Sequence, residues 1–394
     1  MLSFRDQRVL ARILAALCVF ATMTIWLDAA YAERCFQASI LILTAYVTVR
    51  RKIGRPTLLM AALTAIALWG PLQLALSLSV YQYETYIAAL RWTTLIATFF
   101  LAYEALQGRD TRQRALTALA IFAAALAALA TLQAFTSHGR YFWLIPTDQM
   151  YVFGPFQSTN NYASFIELTL PLALWEGLGR GRRRNVWLAV AGMMAASVVA
   201  SASRAGSILI VAEILSMLAV AGLRRQLPRR QLVAVGAITL VALALGVAVT
   251  GVENLEYKLA FADSFMQRGE ILQSTVAMVK DRPWTGFGLG TFPAVYPAYA
   301  LFDIGFFVNH AHNDWAEWMS EGGLPFFLLL AGIAAASALP AIRSGWGLGI
   351  VAVFLHGLVD YPMQRTGLAI WVFVIGAALA AEKNRPQINA DERR

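Results

Sequence analysis

The stretch VNHAHNDWAEWMSEGG, Val308 to Gly323, sets two histidines two residues apart and follows them with Asn313, Asp314, Glu317 and Glu321. These are the residue types of proton transfer or metal ligation, in the longest water-compatible segment of a chain that is 59% hydrophobic and 14% charged. The run HNDWAEWMSE predicts a helix capped by Asn313 or Asp314 and stopped by Gly322-Gly323. A histidine just outside a helix N-terminus meets the positive end of the helix dipole, which disfavours the imidazolium and leaves a neutral ring able to accept a proton. His312 is therefore positioned like a general base. Two other readings stay open: both histidines as solvated loop residues, or His310, His312, Asp314 and Glu317 as metal ligands. Against a metal, the chain contains neither H-E-x-x-H nor D-x-D.

The elements that hold this stretch are membrane helices. The mean hydropathy is +0.58 over 394 residues, and repeated apolar runs match helices crossing a bilayer of roughly 30 Å. The expected fold is an all-α, polytopic transmembrane bundle with twelve spans: 9–27, 35–49, 57–78, 84–106, 115–136, 161–179, 185–201, 204–222, 231–250, 323–342, 346–361 and 366–382. The first run is longer than a signal-peptide core and reads as a retained span. Lys and Arg collect in alternate connections (RRKIGR, GRDTRQR, RGRRR, RRQLPRR), which predicts that both termini face the cytoplasm. The net charge of +9 is then a topology signal and no argument for nucleic-acid binding. Cys18 and Cys35 have neither disulfide nor metal-ligand spacing and read as packing residues.

The expected organisation is residues 1–250 as spans one to nine, 251–322 as a large external loop, 323–382 as the last three spans, and 383–394 as a disordered tail. A second, shorter external segment covers 137–160. The large loop carries nine acidic against four basic residues, so an anion there must be held by specific cations. Ser264 can cap a first loop helix, Ile271, Leu272, Thr275, Val276 and Val279 recur along it, and Pro283 ends it; such an amphipathic helix suits a membrane surface. The glycines of WTGFGLGTF are misplaced for a dinucleotide turn and predict a flexible, aromatic-lined connection.

Charges inside the spans give a second set of candidates. Arg91, Glu167 and Glu213 are expected to face a cavity or one another; either Arg91 pairs with Glu167 or Glu213, or it contacts substrate. Arg204, in the small-residue junction SASRAGS, can reach an anion at the membrane surface. His356 and Asp360, four apart in HGLVDYP, share a helical face, either to orient an imidazole or to satisfy a buried polar pair. All four histidines, His138 included, fall on the external half, and with Arg204, Arg268, Arg282 and Arg365 they describe a site opening at the outer leaflet.

Over most of its length the chain resembles the O-antigen ligase and O-antigen polymerase superfamily of bacterial envelope glycosyltransferases. The likeness rests on GPFQSTNNYAS, SASRAGS, QRGEILQSTVAMVKDRPWTGFGLGTF, HAHNDWAEWMSEGGLPF and HGLVDYP. His312-Asn313, followed by nine residues and Gly323, is its most specific element; Phe326 stands where the family commonly has another glycine. The resemblance implies a GT-C-like, inverting glycosyltransferase of the bacterial inner membrane, its site facing the periplasm, with no cofactor, metal or nucleotide. The implied donor is a glycan on undecaprenyl diphosphate, among membrane lipids. Arg204 and Arg268 would hold the diphosphate and His312 would deprotonate the acceptor hydroxyl. His310, Asn313, Arg91, Glu317, His356, Asp360 and Arg365 are the accompanying substrate-binding candidates. A ligase would use lipid A-core as acceptor, a polymerase a second lipid-linked repeat, and protein-modifying relatives a side-chain hydroxyl. The short termini and single acidic loop favour the ligase slightly. A lipid-glycan transporter and a binding-only assembly platform are the competing classes; against the transporter, the two halves of the chain do not resemble each other.

Overall fold

The computed structural model describes residues 3–27, 30–50, 58–147, 151–179, 181–223, positions 236, 237, 240, 241, 244 and 246–248, then 263–301, 305 and 307–383, with 263–266 as backbone only. The ninth expected span, 231–250, falls largely outside these residues, as do 251–262 of the large loop and 384–394 of the tail.

Eight helices come first: α1 (Phe4–Met23), α2 (Ala30–Arg50), α3 (Leu58–Ala75), α4 (Gln82–Ala105), α5 (Arg109–Thr136), α6 (Thr159–Leu178), α7 (Arg184–Ala200) and α8 (Arg204–Leu223). The large loop carries α9 (Asp263–Asp281) and the single turn α10 (Phe292–Val295), and three helices close the chain: α11 (Asp314–Ser344), α12 (Gly349–His356) and α13 (Thr366–Lys383). The only strands among the described residues are Arg140–Tyr141 and Ile145–Pro146, a hairpin after α5. Capping follows the sequence: Ser3 accepts the Asp6 amide and Ser158 the Asn160 amide.

Six described helices (α3, α4, α5, α8, α11 and α13) are long and apolar enough to cross a bilayer, which fits an all-α, multi-pass chain. By length and composition these six, among the described residues, match expected spans, and the other six of the twelve are not matched in this way. Charge interrupts α1 at Arg5, Asp6, Arg8 and Arg12, and α7 is a shorter apolar helix. The segment read as span eleven, 346–361, holds only the eight-residue α12, about 12 Å long, so it stops short of a 30 Å bilayer. Asp360 therefore lies beyond a short helix and not on its face.

The core is organised on α6, where every residue from Asn161 to Leu174 is buried. It packs against α5, α7, α8 and α12, while α4 packs against α3 and α13. Gly70 allows the close approach of α3 to α4, since a Cβ there would stand 2.7 Å from that of Ala89.

Two loop expectations change. Leu272 and Val276 of α9 point outward, while Ile271, Ser274, Thr275 and Met278 are buried, and Ser264 lies inside the helix instead of capping it. The segment around Gly286, Gly288 and Gly290 is a tied loop, not a flexible connection. Its Phe287 and Gly288 amides donate to the Ser320 and Glu321 carbonyls, and Gln73 donates to the Thr285 and Glu321 carbonyls. All three glycines have positive φ. A Cβ at Gly286, where φ is +63, would lie 2.2 Å from the Glu321 carbonyl oxygen. Gly286→Ala is therefore expected to cost about 3 kcal/mol or more, read as lost membrane-extracted protein and a lowered thermal midpoint. Gly305→Ala, with φ +75 but nothing within 4 Å of its Cβ, isolates the backbone cost and should be much milder.

Candidate active site

Asn313 starts α11. Its Oδ1 accepts the Ala316 amide at 3.0 Å and its Nδ2 donates to the Leu358 carbonyl at 2.9 Å, so one residue both caps the helix and ties it to the segment after α12. Asp314 reinforces the tie: its amide donates to the Gly357 carbonyl at 2.8 Å, and its Oδ2 accepts the Met363 amide at 2.9 Å. At Gly323 (φ 73, ψ 178) helical geometry breaks before the chain continues into the apolar half of α11. A Cβ there would meet the Trp284 carbonyl oxygen at 2.4 Å. The expected stop at Gly322-Gly323 is thus a break within one element.

His312 adopts φ +48, in the left-handed region that non-glycine residues rarely enter. Its Nδ1 lies 3.3 Å from Asp360 Oδ1. Burial raises the Asp360 carboxyl, but the His312 hydrogen bond and the nearby His312, Arg268 and His356 side chains outweigh it and hold the group below its ordinary value. Asp360 is therefore a carboxylate through the neutral range, and Nδ1–H donates to it. The other ring nitrogen is left to act, and the side chain is 31% exposed. Arg268, projecting from α9, donates from Nη1 to the Val359 carbonyl at 3.0 Å, one residue from Asp360.

His310 repeats this arrangement beside Tyr361. Its Nδ1 is 3.0 Å from Glu317 Oε1, and Glu317 Oε2 accepts the Ala311 amide at 2.7 Å. The Tyr361 ring contacts both histidines, 4.3 Å from the His310 ring centroid and 4.9 Å from that of His312. Burial raises the Tyr361 phenol, against the pull of Arg365, so this ring is uncharged near neutrality. On the His310 side lies a cavity of about 430 Å³ lined by His310, Glu317, Glu321, Arg91 and Arg365 among others. His312, Arg204 and Arg268 are not in its lining.

Several sequence expectations are corrected. Arg91 pairs with neither Glu167 nor Glu213: it donates to the Gln364 carbonyl at 2.7 Å and to Gln364 Oε1 at 2.5 Å, which aims α4 at the start of α13. His356 does not face Asp360. It is fully buried, with Nδ1 2.9 Å from Glu167 Oε1, so it packs α12 onto α6. Asp360, 2% exposed, pairs with His312 instead of His356. Of the four possible metal ligands only His310 and Glu317 meet, while His312 turns to Asp360 and Asp314 to the Met363 amide, and no group of three or more such ligands forms among the described residues.

Arg204 opens α8 beside α6, after a left-handed Ala202. Its neighbour Ser203 donates to Asn160 Oδ1 at 2.8 Å, and Gly206 lies so close to Glu167 that a Cβ would stand 3.1 Å from Oε1. Glu167 thus links the Arg204 junction, through His356, to the helix that leads to Asp360. His138, exposed at the end of α5, lines no part of the cavity.

The family model described as O-antigen ligase matches residues 189–331, from α7 into α11. This match supports the O-antigen ligase/polymerase superfamily. It covers Arg204, Arg268, His310, His312 and Glu317, while Arg91, Asp360 and Arg365 stand outside it. No curated protein matches the chain. Together with the six apolar helices, the O-antigen ligase match supports a multi-pass membrane glycosyltransferase of ligase or polymerase type acting on lipid-linked glycans. Sequence reasoning passed over Tyr361 and Gln364, although both fall within seven residues of the HGLVDYP motif or inside it. Their signal was the clustering of aromatic and amide groups beside Arg365.

Proposed function

We propose that the protein transfers a glycan from undecaprenyl diphosphate to an acceptor hydroxyl by a single inverting displacement. His312 takes the hydroxyl proton as the acceptor oxygen bonds the anomeric carbon. The bond from that carbon to the diphosphate oxygen breaks, and the electron pair leaves with the lipid diphosphate. Arg268 and Arg204 stabilise the charge that grows there; guanidinium forks suit phosphate oxygens. Asp360 holds the imidazole in the tautomer that can accept a proton, as carboxylates do for catalytic histidines elsewhere. The cavity beside His310, with Arg91, Glu317 and Arg365, receives sugar hydroxyls. The observation that carries this reading is the Asp360-held, partly exposed His312 next to the Arg268 anchor at Val359. Lipid A-core is the acceptor favoured here.

Purified protein given a defined lipid-diphosphate glycan should release undecaprenyl diphosphate and form an inverted linkage on lipid A-core, with or without chelator. Transfer only to a second lipid-linked repeat would replace the ligase reading with polymerase. Asp360→Asn should lower kcat by ~10²-fold with KM little changed, because the amide favours the wrong tautomer. An unchanged kcat would remove Asp360 from this role.

A further inference from the structure

Helix α6 begins beside the Arg204 junction and ends, about 30 Å further on by helical rise, at a second cavity. This cavity, of about 700 Å³, lies between α5, α6, α7 and the end of α13. Arg109, Arg182 and Arg183 edge it, all exposed, with Arg112 buried at its base. Among the described residues no hydrogen bond or ion pair engages the side chains of Arg109, Arg182 or Arg183. Its walls are Trp175, Trp187, Trp346 and Leu172, and it runs down α5 as far as Ile121, 57% exposed on the apolar flank. A topology signal needs only charge in a loop. It does not call for a concave site with a cationic rim, three tryptophans in its walls and an apolar flank.

We propose that this cavity binds an anionic, glycerol-bearing phospholipid headgroup of the phosphatidylglycerol type. Arg109, Arg182 and Arg183 hold the phosphate, and the acyl chains run along Leu172, Trp175 and Ile121. Two carboxylates, Glu176 and Glu382, also line the cavity, and Glu176 Oε1 accepts the Thr117 hydroxyl at 2.8 Å. They oppose a bare anion but accept hydrogen bonds from glycerol hydroxyls, which selects this headgroup over a simple phosphate. Basic pockets between membrane helices recognise such lipids by the same chemistry.

The test is native mass spectrometry of the full chain released from nanodiscs of mixed phosphatidylethanolamine and phosphatidylglycerol. Wild type should retain phosphatidylglycerol preferentially. The variant Arg109→Gln/Arg182→Gln/Arg183→Gln should lose retention by roughly 5-fold per arginine, whereas Arg5→Gln/Arg8→Gln/Arg12→Gln, which removes as many charges outside the cavity, should retain it. Equal retention in the first variant, or equal retention of phosphatidylethanolamine by wild type, overturns the proposal. So does displacement of the lipid by soluble glycerol phosphate at matched concentration, which would mark a site for a free anion. In detergent, a wild-type thermal midpoint that rises no more with phosphatidylglycerol than with phosphatidylethanolamine overturns it independently of any variant.

Discussion

His312→Ala is expected to lower glycan transfer by about 10²–10⁴-fold, the usual contribution of a positioned base, while the purified variant keeps its thermal midpoint. The side chain is 31% exposed and bonds one carboxylate, so its removal leaves no large void. What it does leave is Asp360 without its closest hydrogen-bond donor from a side chain, and the Tyr361 amide still donates to the same oxygen at 3.0 Å. The variant should therefore fold. The measurement is initial transfer rate with a defined lipid-linked donor, set against the same rate for His310→Ala. The cavity-facing histidine is expected to raise KM more than it lowers kcat, since it sits among the sugar-binding groups. Unaltered transfer by His312→Ala would end the general-base proposal, and a kcat collapse confined to His310→Ala would move the base to His310.

Arg268→Ala carries the second large effect. Removing one fixed donor from a developing negative charge costs about 10²–10³-fold in kcat, and Arg268→Lys should restore part of it, because an ammonium supplies charge without the fork. The arginine also bonds the Val359 carbonyl, so a purely structural loss has to be told apart from a catalytic one. Lysine rescue of kcat at unchanged thermal midpoint does so. If alanine and lysine variants lose kcat and stability in parallel, Arg268 is a strut and the diphosphate is held elsewhere.

Much of the helical layout was readable because hydropathy reports burial in lipid directly. The cap at Asn313 and the break at Gly323 were readable too, since short polar side chains and glycine have specific backbone uses. What sequence spacing could not supply was partner choice across the fold. His356 and Asp360, four residues apart, suggested one face, yet the helix ends at His356, and the two side chains turn to Glu167 and His312. Arg91 took an amide as partner where a carboxylate was expected, because Gln364 follows a Pro362 turn that delivers both a carbonyl and a side chain to α4. The glycine-rich loop suggested freedom by composition. Its positive φ angles instead mark sites where neighbours leave no room for a Cβ, backbone at Gly286 and Gly290 and the Ser79 and Thr85 side chains at Gly288.

The ring of Tyr361, set edge-on to the His312 imidazole and tilted by 31° against that of His310, touches both histidines at once. Any rotation of that ring disturbs both imidazoles together, so the orientation of one histidine is tied to that of the other.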